Sequence, residues 1–544
     1  MEGAALGTVG SGLGVLLALA ISRSALALSS DAVNEVYMQQ AAGEVQLDPS
    51  VLLAGFALGI VAATLAAFIA TARAGRIKPT EALSTSTLNL SASTSGATRG
   101  EWIGVLLLFA TLLLLQVPAS GNMPYGPLVA CLTLTLAGRM LMPGMVRVAH
   151  VALTMLRGRV LSVEAAIATD NLPRDIQRTA SMASGLMAGV SLTVGVGTFI
   201  VSFITSLNTW SAQLLPGDLV VASGTPIVGL SERNTPMDDS MRAKLQAVPG
   251  VAMVRAAKFM DIDYQGYPVK MIVVEKSRAS HYTPLEGSQR DVHDGLERGE
   301  LVIGENFARR FGVHRGDRIA LSTGRGTQPF KVAAVVIDYT SDRGTLRVDR
   351  KTYVELWGDQ RVDSYELFLT QGANPERVRR TINENLAEQH DLFVLTTREF
   401  RGEFVKAANK IFALMHVLEL VTLVVAMLGM VTAVLSNVLD RVREIGVLRA
   451  VGMLRKQVRK MVMVESTLIG GVGALGGVLV GLGVGYILLR YIAGVQMGWS
   501  LPYTFPLGSI VTMALVTLPI SAVAGFYPAR QAARLVVRDA LDYE

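Results

Sequence analysis

Residues 439–461 read LDRVREIGVLRAVGMLRKQVRKM and form a short basic stretch between two long apolar segments. Apolar residues recur at every third position, a spacing that predicts a helix with one apolar face: Val442, Ile445, Leu448 and Val451. Basic residues cover most of the remaining surface: Arg441, Arg443, Arg449, Arg455, Lys456, Arg459 and Lys460. The stretch therefore predicts a short helix with a face to offer to a partner. On this pattern alone, a basic helix lying on anionic lipid is an equal alternative.

The composition of the 544-residue chain is that of an integral membrane protein. Hydrophobic residues make up 51% of it, too many for a soluble enzyme. Eight apolar runs are predicted to be transmembrane helices, at about 5–28, 51–72, 102–117, 126–146, 181–206, 411–438, 462–492 and 505–527. The third run is short and closes at Pro118. The single cysteine, Cys131, lies in an apolar run, which excludes a disulfide framework and a cysteine metal site.

Positive charge predicts the orientation of these spans in the plasma membrane. Segments 73–101, 139–178, 439–461 and 528–544 hold 20 arginine and lysine residues, whereas the short segments on the other side hold Arg23, Lys410 and Arg490. Because positive loops stay inside, both termini are predicted to be cytoplasmic. Residues 207–407 contain 27 basic and 27 acidic residues, so the net charge of +6 belongs to the membrane-embedded part. No nucleic-acid partner is therefore expected.

Between residues 207 and 407 the pattern changes to short alternating strands and amphipathic helices, which predicts an inserted extracytoplasmic α+β domain. Strands are predicted at 219–223, 253–264, 267–275, 331–339, 365–370 and 392–397, and helices at 237–248 and 375–389. Residues 287–299 are polar and predict a mobile surface loop, whereas residues 398–437 predict one long stalk helix. The predicted fold is thus an α-helical integral membrane protein of about eight transmembrane helices with this inserted domain.

Residues 444–452, EIGVLRAVG, resemble the REIGxLRAxG signature of the FtsX/MacB-like permeases, a family of ABC transporter membrane subunits. Residues 304–321, GENFARRFGVHRGDRIAL, are similar to the extracytoplasmic domain of that family. The resemblance implies that residues 440–460 are a coupling helix, which docks into an ABC ATPase subunit dimer and carries movement between the nucleotide site and the membrane. It assigns this contact to Glu444, Ile445, Gly446, Leu448, Arg449, Ala450 and Gly452.

An internal repeat relates the two ends of the chain. A shift of 463 residues places Glu2, Gly7, Gly10 and Gly14 on Glu465, Gly470, Gly473 and Gly477, and a shift of 458 places Arg76, Glu81 and Leu83 on Arg534, Asp539 and Leu541. Residues 1–84 then resemble the last two helices and tail of a first FtsX-like module, and residues 85–160 two linking helices. The second module comprises a first helix at 161–206, the outer domain at 207–407 and a three-helix permease domain at 408–544.

A two-module permease of this family would carry further elements ahead of residue 1, including another coupling helix. The resemblance therefore implies either an N-terminally truncated chain or a second permease chain as partner.

Glycines at four-residue spacing mark two of the predicted spans. They are Gly10, Gly14, Gly473, Gly477, Gly481 and Gly485. In lipid this spacing lets helices approach closely, so we predict a helix-packing role for them.

Catalytic motifs are missing from the sequence. No lysine follows a glycine, so a Walker A loop is excluded, and ATP and magnesium are expected on a partner ATPase while this chain binds no cofactor. HExxH and GxSxG are absent as well. His416 and Glu419 stand one turn apart near a membrane end, but two ligands make an incomplete metal site. We therefore predict no catalytic and no metal-binding residues.

The leading hypothesis is the permease subunit of an ABC transporter that exports or extracts lipid, lipoprotein, peptide or hydrophobic drug, in contact with membrane lipid. One alternative is a signal transmitter that activates an outer partner such as a cell-wall hydrolase or a sensor kinase. Another is a remnant or a membrane-anchored binding domain that has no ATPase partner.

Overall fold

A computed structural model describes residues 2–36, 49–74, 99–118, 123–155, 162–223, 235–275, 280–387 and 392–534. The chain divides into two compact units, Met1–Gly96 with Ala407–Leu414, and Ala97–Lys406 with Met415–Glu544. The predicted repeat positions 76–83 and 535–541 lie outside the described residues.

The first unit contains two packed helices, α1 (Glu2–Val36) and α2 (Pro49–Ala74). They meet through small residues: a Cβ built on Gly7 would lie 2.8 Å from the Cβ of Ala63, and one on Gly3 would lie 2.5 Å from the Cβ of Ala67. Contacts this short leave no room for a side chain, so glycine permits the close approach of the two helices.

The helical part of the second unit is built from long apolar helices that share one buried cluster. Before the inserted domain come α3 (Arg99–Leu114), α4 (Tyr125–Met155), α5 (Val163–Asn171) and α6 (Ile176–Leu214). After it come α12 (Thr397–Asp440), α13 (Val442–Ala450), α14 (Arg455–Ile487), a π-helical turn (Leu488–Ala493), α15 (Gly494–Gln496) and α16 (Leu507–Arg534). The helix predicted over 398–437 is thus observed as α12.

Within the described residues, seven helices are long and apolar enough to cross a membrane, against the eight predicted. The eighth, α3, has 16 residues. At a rise of about 1.5 Å per residue it extends about 24 Å, which is less than the roughly 30 Å of a bilayer's hydrocarbon core. Pro118, which closes the apolar run, lies four residues beyond the end of this helix.

The inserted domain is an α+β fold on a ten-stranded sheet. Its elements are β1 (Leu219–Ser223), α7 (Ser240–Gln246), β2 (Val251–Tyr264), β3 (Tyr267–Val274), β4 (Pro284–Glu286), α8 (Gln289–Glu297), β5 (Leu301–Gly304), α9 (Glu305–Phe311), β6 (Arg318–Thr323), β7 (Gly326–Val336), β8 (Thr345–Asp349), α10 (Arg350–Trp357), β9 (Ser364–Leu369), α11 (Pro375–Ile382), a π-helical turn (Asn383–Ala387) and β10 (Leu392–Thr396). The strand order is β10-β1-β9-β2-β3-β8-β5-β7-β4, with β6 paired to β7.

Two strand pairs, β3 with β8 and β5 with β7, are parallel, and the other pairs are antiparallel. The first and last strands are neighbours, because Leu219 of β1 lies opposite Thr396 of β10. The chain therefore enters and leaves the domain at one place on the sheet.

The six predicted strands are all present, but the loop predicted at 287–299 is wrong. Residues Gln289–Glu297 form helix α8 instead. Ser288 caps it: its hydroxyl oxygen accepts from the backbone N–H of Asp291, and the Asp291 carboxylate accepts from the backbone N–H of Ser288. This capping box satisfies backbone groups that would otherwise be unpaired at the helix start, and so fixes a polar segment as a helix.

Candidate coupling site

Helix α13 connects α12 to α14 through two sharp breaks in the backbone. Arg441 (φ −110°, ψ 19°) separates it from α12. Gly452 lies just past its other end with φ of +115°, a conformation that a residue with a Cβ rarely adopts. The backbone N–H of Met453 donates to the carbonyl of Leu448 over 3.0 Å and closes this turn. The turn thus requires glycine at position 452 of the EIGVLRAVG stretch.

One face of α13 is buried against the longer helices. Ile445 is 3% exposed and Gly446 is buried as well. Ile445 belongs to the same buried cluster as Val438 of α12 and Val458 of α14, and Leu448 packs against that cluster. Burial of an aliphatic side chain contributes about 1.5–3 kcal/mol, so this face holds α13 in place. Of the residues assigned to ATPase contact, Ile445 and Gly446 therefore lie against the chain's own helices.

The opposite face of α13 and the turn that follows it carry exposed apolar side chains, which we call the outward face: Val447 is 47% exposed, Val451 84% and Leu454 65%. Ala450 and Gly452 are exposed beside them, and Arg449 is half-buried. Exposed cations precede and follow these residues in the chain: Arg443, Arg455, Lys456 and Arg459. An exposed apolar patch inside a polar rim is typical of protein interaction sites.

Sequence reasoning missed Val447 and Leu454, because the every-third-residue pattern selects the apolar face that proves to be mostly buried. The available signal was the pair of apolar residues outside that pattern, Val447 on the other side of the helix and Leu454 beyond its end. The pattern also grouped Val451 with the buried residues, although its side chain is 84% exposed.

A buried carboxylate ties the start of α13 to three other elements. Glu465 of α14 is 7% exposed and accepts hydrogen bonds from Asn171 of α5 (3.3 Å) and Asn437 of α12 (3.1 Å). The Arg441 guanidinium binds both of its oxygens, at 3.2 and 3.3 Å. A charge this buried is tolerated because it is both paired and hydrogen-bonded. Residue 441, where α12 ends and α13 begins, is therefore held to the helices around it.

Glu444 extends this arrangement toward the surface. Its carboxylate accepts from Arg441 Nε at 3.0 Å and from Arg174, between α5 and α6, at 2.9 Å. Lys460 of α14 forms a further pair with Glu164 of α5 at 3.2 Å. Glu444 was assigned to ATPase contact, and the structure shows it bound to two arginines of this chain. Its side chain remains 40% exposed.

The glycines of α14 allow it to approach α6 closely. A Cβ on Gly477 would lie 2.5 Å from the Cβ of Val190, one on Gly481 2.7 Å from the Cβ of Val194, and one on Gly473 2.6 Å from the carbonyl oxygen of Ala183. Gly10 and Gly14 differ: within the described part of the chain, a Cβ on either would meet no atom within 4 Å.

The predicted repeat has a counterpart in helix packing. Gly7 faces Ala63 in the α1–α2 pair, and Gly470 faces Ser521 in the α14–α16 pair. These are equivalent positions under the shifts of 463 and 458 residues. Gly3 with Ala67 and Ser466 with Gly525 correspond in the same way. Both helix pairs therefore interlock through small residues at matching places.

The histidine and glutamate near the end of the apolar part of α12 pair with each other. His416 Nδ1 lies 3.1 Å from Glu419 Oε2, and the His416 side chain is 60% exposed. Among the described residues, no group of three or more histidine, cysteine, aspartate or glutamate side chains could hold a metal ion.

A cavity of about 110 Å³ lies where the inserted domain joins the long helices. Trp210 and Leu215 line it at the end of α6, and Phe400 lines it at the start of α12. The sheet contributes further apolar side chains and the buried ion pair of Arg255 with Glu366. Burial is the main cause that raises the pKa of Glu366, and the charge of Arg255 opposes it. Such a site suits a small apolar group next to polar atoms.

Comparison with known proteins matches two family models to this chain. The model "FtsX-like permease C-terminal" matches residues 417–537, which include α13, α14 and α16. The model "MacB-like periplasmic core domain" matches residues 179–385, from α6 through most of the inserted domain. The solved periplasmic region of MacB from Actinobacillus actinomycetemcomitans aligns with 35% of this chain and 94% of its own, at 11% identity and a TM-score of 0.27.

Two relatives are ABC transporter proteins. An uncharacterized ABC transporter permease protein of Mycobacterium tuberculosis is 29% identical over 548 residues, which cover 99% of this chain and 63% of that protein. The macrolide export ATP-binding/permease protein MacB of Bordetella avium is 25% identical over 376 residues, 65% of this chain and 54% of that one. The chain thus spans less than two thirds of the length of either relative. It joins an FtsX-like permease domain to a MacB-like periplasmic core domain, and so has the domain composition of the FtsX/MacB-like ABC transporter permeases.

Proposed function

We propose that this chain is the permease subunit of an ABC transporter and that a separate ATPase dimer docks on the outward face of α13. The observation that carries this proposal is the division of α13 into two faces. One face is fixed to the membrane helices through Ile445 and the carboxylate of Glu465, and the other presents Val447, Val451 and Leu454. A helix with one face bound to a partner and the other bound to the membrane helices transmits a displacement of that partner to the rest of the chain.

ATP binding and hydrolysis, with magnesium, take place on the partner in this mechanism. Closure of the ATPase dimer moves α13, and the hydrogen bonds of Glu444 and Glu465 oblige α5, α12 and α14 to move with it. Because α12 is one continuous helix from β10 to α13, the movement reaches the inserted domain. This chain contributes the mechanical link and no chemical step.

The cargo in this proposal is an amphipathic molecule exported or extracted on the outer side: a lipid, a lipoprotein, a peptide or a hydrophobic drug. The mostly apolar cavity beside Trp210 and Phe400 supports this class. Both termini and α13 lie in the cytoplasm, with the inserted domain on the opposite side, as the positive charge of the loops supports. ATP-dependent accumulation of labelled lipid in inside-out vesicles would support transport, whereas ATP-dependent activation of an outer partner without accumulation would favour signalling.

A second permease module works with this one, on another polypeptide or in a longer chain. An ATPase dimer offers two equivalent docking grooves, and this chain offers one α13. The matching small-residue packing of α1–α2 and α14–α16 and the greater length of the relatives support a two-module arrangement.

A charge on the outward face tests the docking. Val451→Glu places a carboxylate in the apolar patch without touching the buried face, so we expect ATPase affinity to fall about a hundredfold, as for an interface hot spot. The measurement is binding of the copurifying ABC ATPase to the chain in nanodiscs. Leu285→Glu is the control, since Leu285 is 47% exposed in the inserted domain. Full ATPase binding by Val451→Glu would contradict the proposal.

Thiol labelling tests the orientation. Cys131 is the single cysteine, so Cys131→Ser gives a cysteine-free background for Val451→Cys. A membrane-impermeant maleimide should label position 451 in inside-out vesicles and not in intact cells. Labelling from outside the cell would exclude contact with a cytoplasmic ATPase.

A further inference from the structure

The loop between α14 and α16 binds the inserted domain by a contact that sequence reasoning did not anticipate. Residues 494–506 connect these two helices, and Ser500 in their middle lies against α9 of the inserted domain. Both partners belong to the same compact unit of the chain.

Every polar group of Ser500 is bound by the inserted domain. Its backbone N–H donates to Glu305 Oε2 over 2.8 Å, and its hydroxyl donates to Glu305 Oε1. Its carbonyl accepts from the Tyr339 hydroxyl over 2.8 Å. Arg309 donates to the Ser500 hydroxyl oxygen at 3.0 Å and to the Gly494 carbonyl at 3.2 Å. One residue of the loop is thus held from three directions.

Glu305 is the centre of this contact. It is 4% exposed, and its carboxylate is also paired with Arg309 at 2.5 Å. Charge-assisted hydrogen bonds in a desolvated place are stronger than neutral ones, and a buried carboxylate that loses its partners is costly. The Glu305 carboxylate therefore favours the state in which the loop is bound.

The loop backbone is shaped to fit α9. Gly498 has φ of +68°, and a Cβ there would lie 2.8 Å from the Cβ of Asn306, so position 498 needs glycine for two reasons. The next residue, Trp499, packs edge-on against Tyr339 with ring centroids 5.4 Å apart, and lies 6.1 Å from the ring of Phe203 on α6. Burial raises the pKa of Tyr339, so its hydroxyl stays protonated as a donor to Ser500.

The contact joins the two parts of the chain that the proposed mechanism must couple. Four residues, 451–454, separate α13 from α14, and α14 leads through the π-helical turn Leu488–Ala493 into the loop that holds Ser500. The inserted domain is also joined to the membrane helices by its two chain connections, at β1 and β10, and by hydrogen bonds to Gln213 of α6. The backbone N–H of His281 donates to the Gln213 carbonyl over 3.0 Å, and the Thr283 hydroxyl donates to Gln213 Oε1 over 3.1 Å. Through Ser500 and Gly494, this loop gives α14 a direct hydrogen-bonded link to the inserted domain.

We propose that Glu305, Arg309 and Ser500 form a latch that transmits movement of α14 to the inserted domain, in parallel with the stalk helix α12. The proposal rests on the proposed ATP-driven function and names positioning residues for it. While the latch is closed, displacement of α14 carries the inserted domain with it. When the latch is open, α13 and the ATPase still move, but the inserted domain follows less.

The test measures the position of the inserted domain with spin labels. One label is placed on exposed Tyr267 of the inserted domain and one on exposed Leu515 of α16, in the Cys131→Ser chain with its ATPase in nanodiscs. ATP should shift the population of inter-label distances in the otherwise unaltered chain. In Glu305→Ala, the ATP-dependent change in the ratio of the two distance populations should be about tenfold smaller. A factor of about ten is the scale of one lost charge-assisted hydrogen bond. ATPase binding and basal hydrolysis should not change.

Glu300→Ala is the matched control, because Glu300 pairs with Arg298 and Lys331 inside the inserted domain. It should leave the ATP-dependent shift intact. A full shift in Glu305→Ala would overturn the latch while leaving the proposed function standing. No ATP-dependent shift in the unaltered chain would overturn both.

A covalent bridge separates transmission from simple loss of folding. Glu305→Cys with Ser500→Cys, in an otherwise cysteine-free chain, should lose the shift and regain it when the two thiols are joined by a short bis-methanethiosulfonate. Cleaving the bridge with a reductant should abolish the shift again. In this experiment the two reporters at positions 267 and 515 are attached to unnatural amino acids by thiol-independent chemistry in place of the spin labels, so that both thiols remain available. A bridged chain without recovery would overturn the latch.

Discussion

Two buried carboxylates, Glu465 and Glu305, lie near the two ends of α14, and they differ in the groups that they bind. Glu465, in the first part of the helix, accepts hydrogen bonds from Asn171, Asn437 and Arg441, which belong to the surrounding helical body. Glu305, beyond the other end, binds one loop residue, Ser500, from a separate domain. The first carboxylate therefore supports the body itself, whereas the second supports an attachment to it. The two carboxylates are thus similarly buried, but Glu465 stabilises the packing of the helices, whereas Glu305 makes a contact between two domains that can open.

Removing the first carboxylate should have the largest effect on stability. Glu465→Ala leaves Arg441 without its buried partner, and we expect the free energy of unfolding to fall by about 3–5 kcal/mol, the range for breaking a buried ion pair. Unfolding of the chain in mixed micelles measures it. Glu305→Ala should cost less in the same measurement, because the body keeps its packing. An equal or larger loss for Glu305→Ala would remove the contrast between the two ends.

The next largest effect on the free energy of unfolding is expected at the glycines of α14 that lie between the two carboxylates. Gly477→Ala puts a Cβ 2.5 Å from the Cβ of Val190, so we expect the free energy of unfolding to fall by about 1–3 kcal/mol from overpacking. Gly14→Ala is the matched control at the equivalent position of the repeat, where a Cβ meets no described atom within 4 Å. The same unfolding assay applies, and equal effects of both changes would show that α14 does not depend on this contact.

A smaller and local effect is expected at the loop. Gly498→Ala is strained at φ of +68° and close to Asn306, which we expect to cost about 1–2 kcal/mol in the bound loop. Amide exchange of the Ser500 N–H, which donates to Glu305, should accelerate roughly tenfold. Gly266→Ala controls for strain alone, because its φ is +82° and no atom lies near its added Cβ. Unchanged exchange at Ser500 in Gly498→Ala would contradict the fit of the loop to α9.

The smallest effect concerns the surface end of the α13 arrangement. Arg174 pairs with Glu444 at 2.9 Å, but the two side chains are 61% and 40% exposed. Solvent and salt screen such a pair, so Arg174→Ala should change the free energy of unfolding by less than about 1 kcal/mol. Unfolding at low and high salt checks it. A loss comparable to that of Glu465→Ala would mean that Glu444 is held as a core residue.

Local patterns predicted local structure well, and long-range contacts were out of their reach. The strand at 219–223 was predicted from its short apolar pattern, and the long helix over 398–437 from the absence of a strong helix breaker. Both signals depend on residues that are neighbours in sequence. Helix α8 was missed although Ser288 and Asp291 carry a capping signal, because the segment is too polar for a periodicity argument. The Asn171–Glu465 hydrogen bond joins residues 294 positions apart. No pattern in one sequence brings such a pair together.

The candidate site shows the same limit at a finer scale. A short basic helix was predicted from residues 439–461, but the bounds of 440–460 were wrong, because α13 ends at Ala450 and α14 begins at Arg455. The break between them follows from the backbone of Gly452, whose φ is +115°. The sequence did not predict which face of α13 remains exposed, because both Ile445 and Val447 are apolar although they lie on opposite faces. The answer depends on where α12 and α14 lie, and therefore on tertiary packing.

The pairing of β1 with β10 has a consequence for how such proteins diversify. Because the strands that begin and end the inserted domain lie side by side, with Leu219 opposite Thr396, the helices on either side need not separate to accommodate it. A domain of another size or specificity could be grafted at the same two points without altering the membrane scaffold. Under the proposed function, evolution could therefore exchange the domain that binds the cargo and retain the helices that move it.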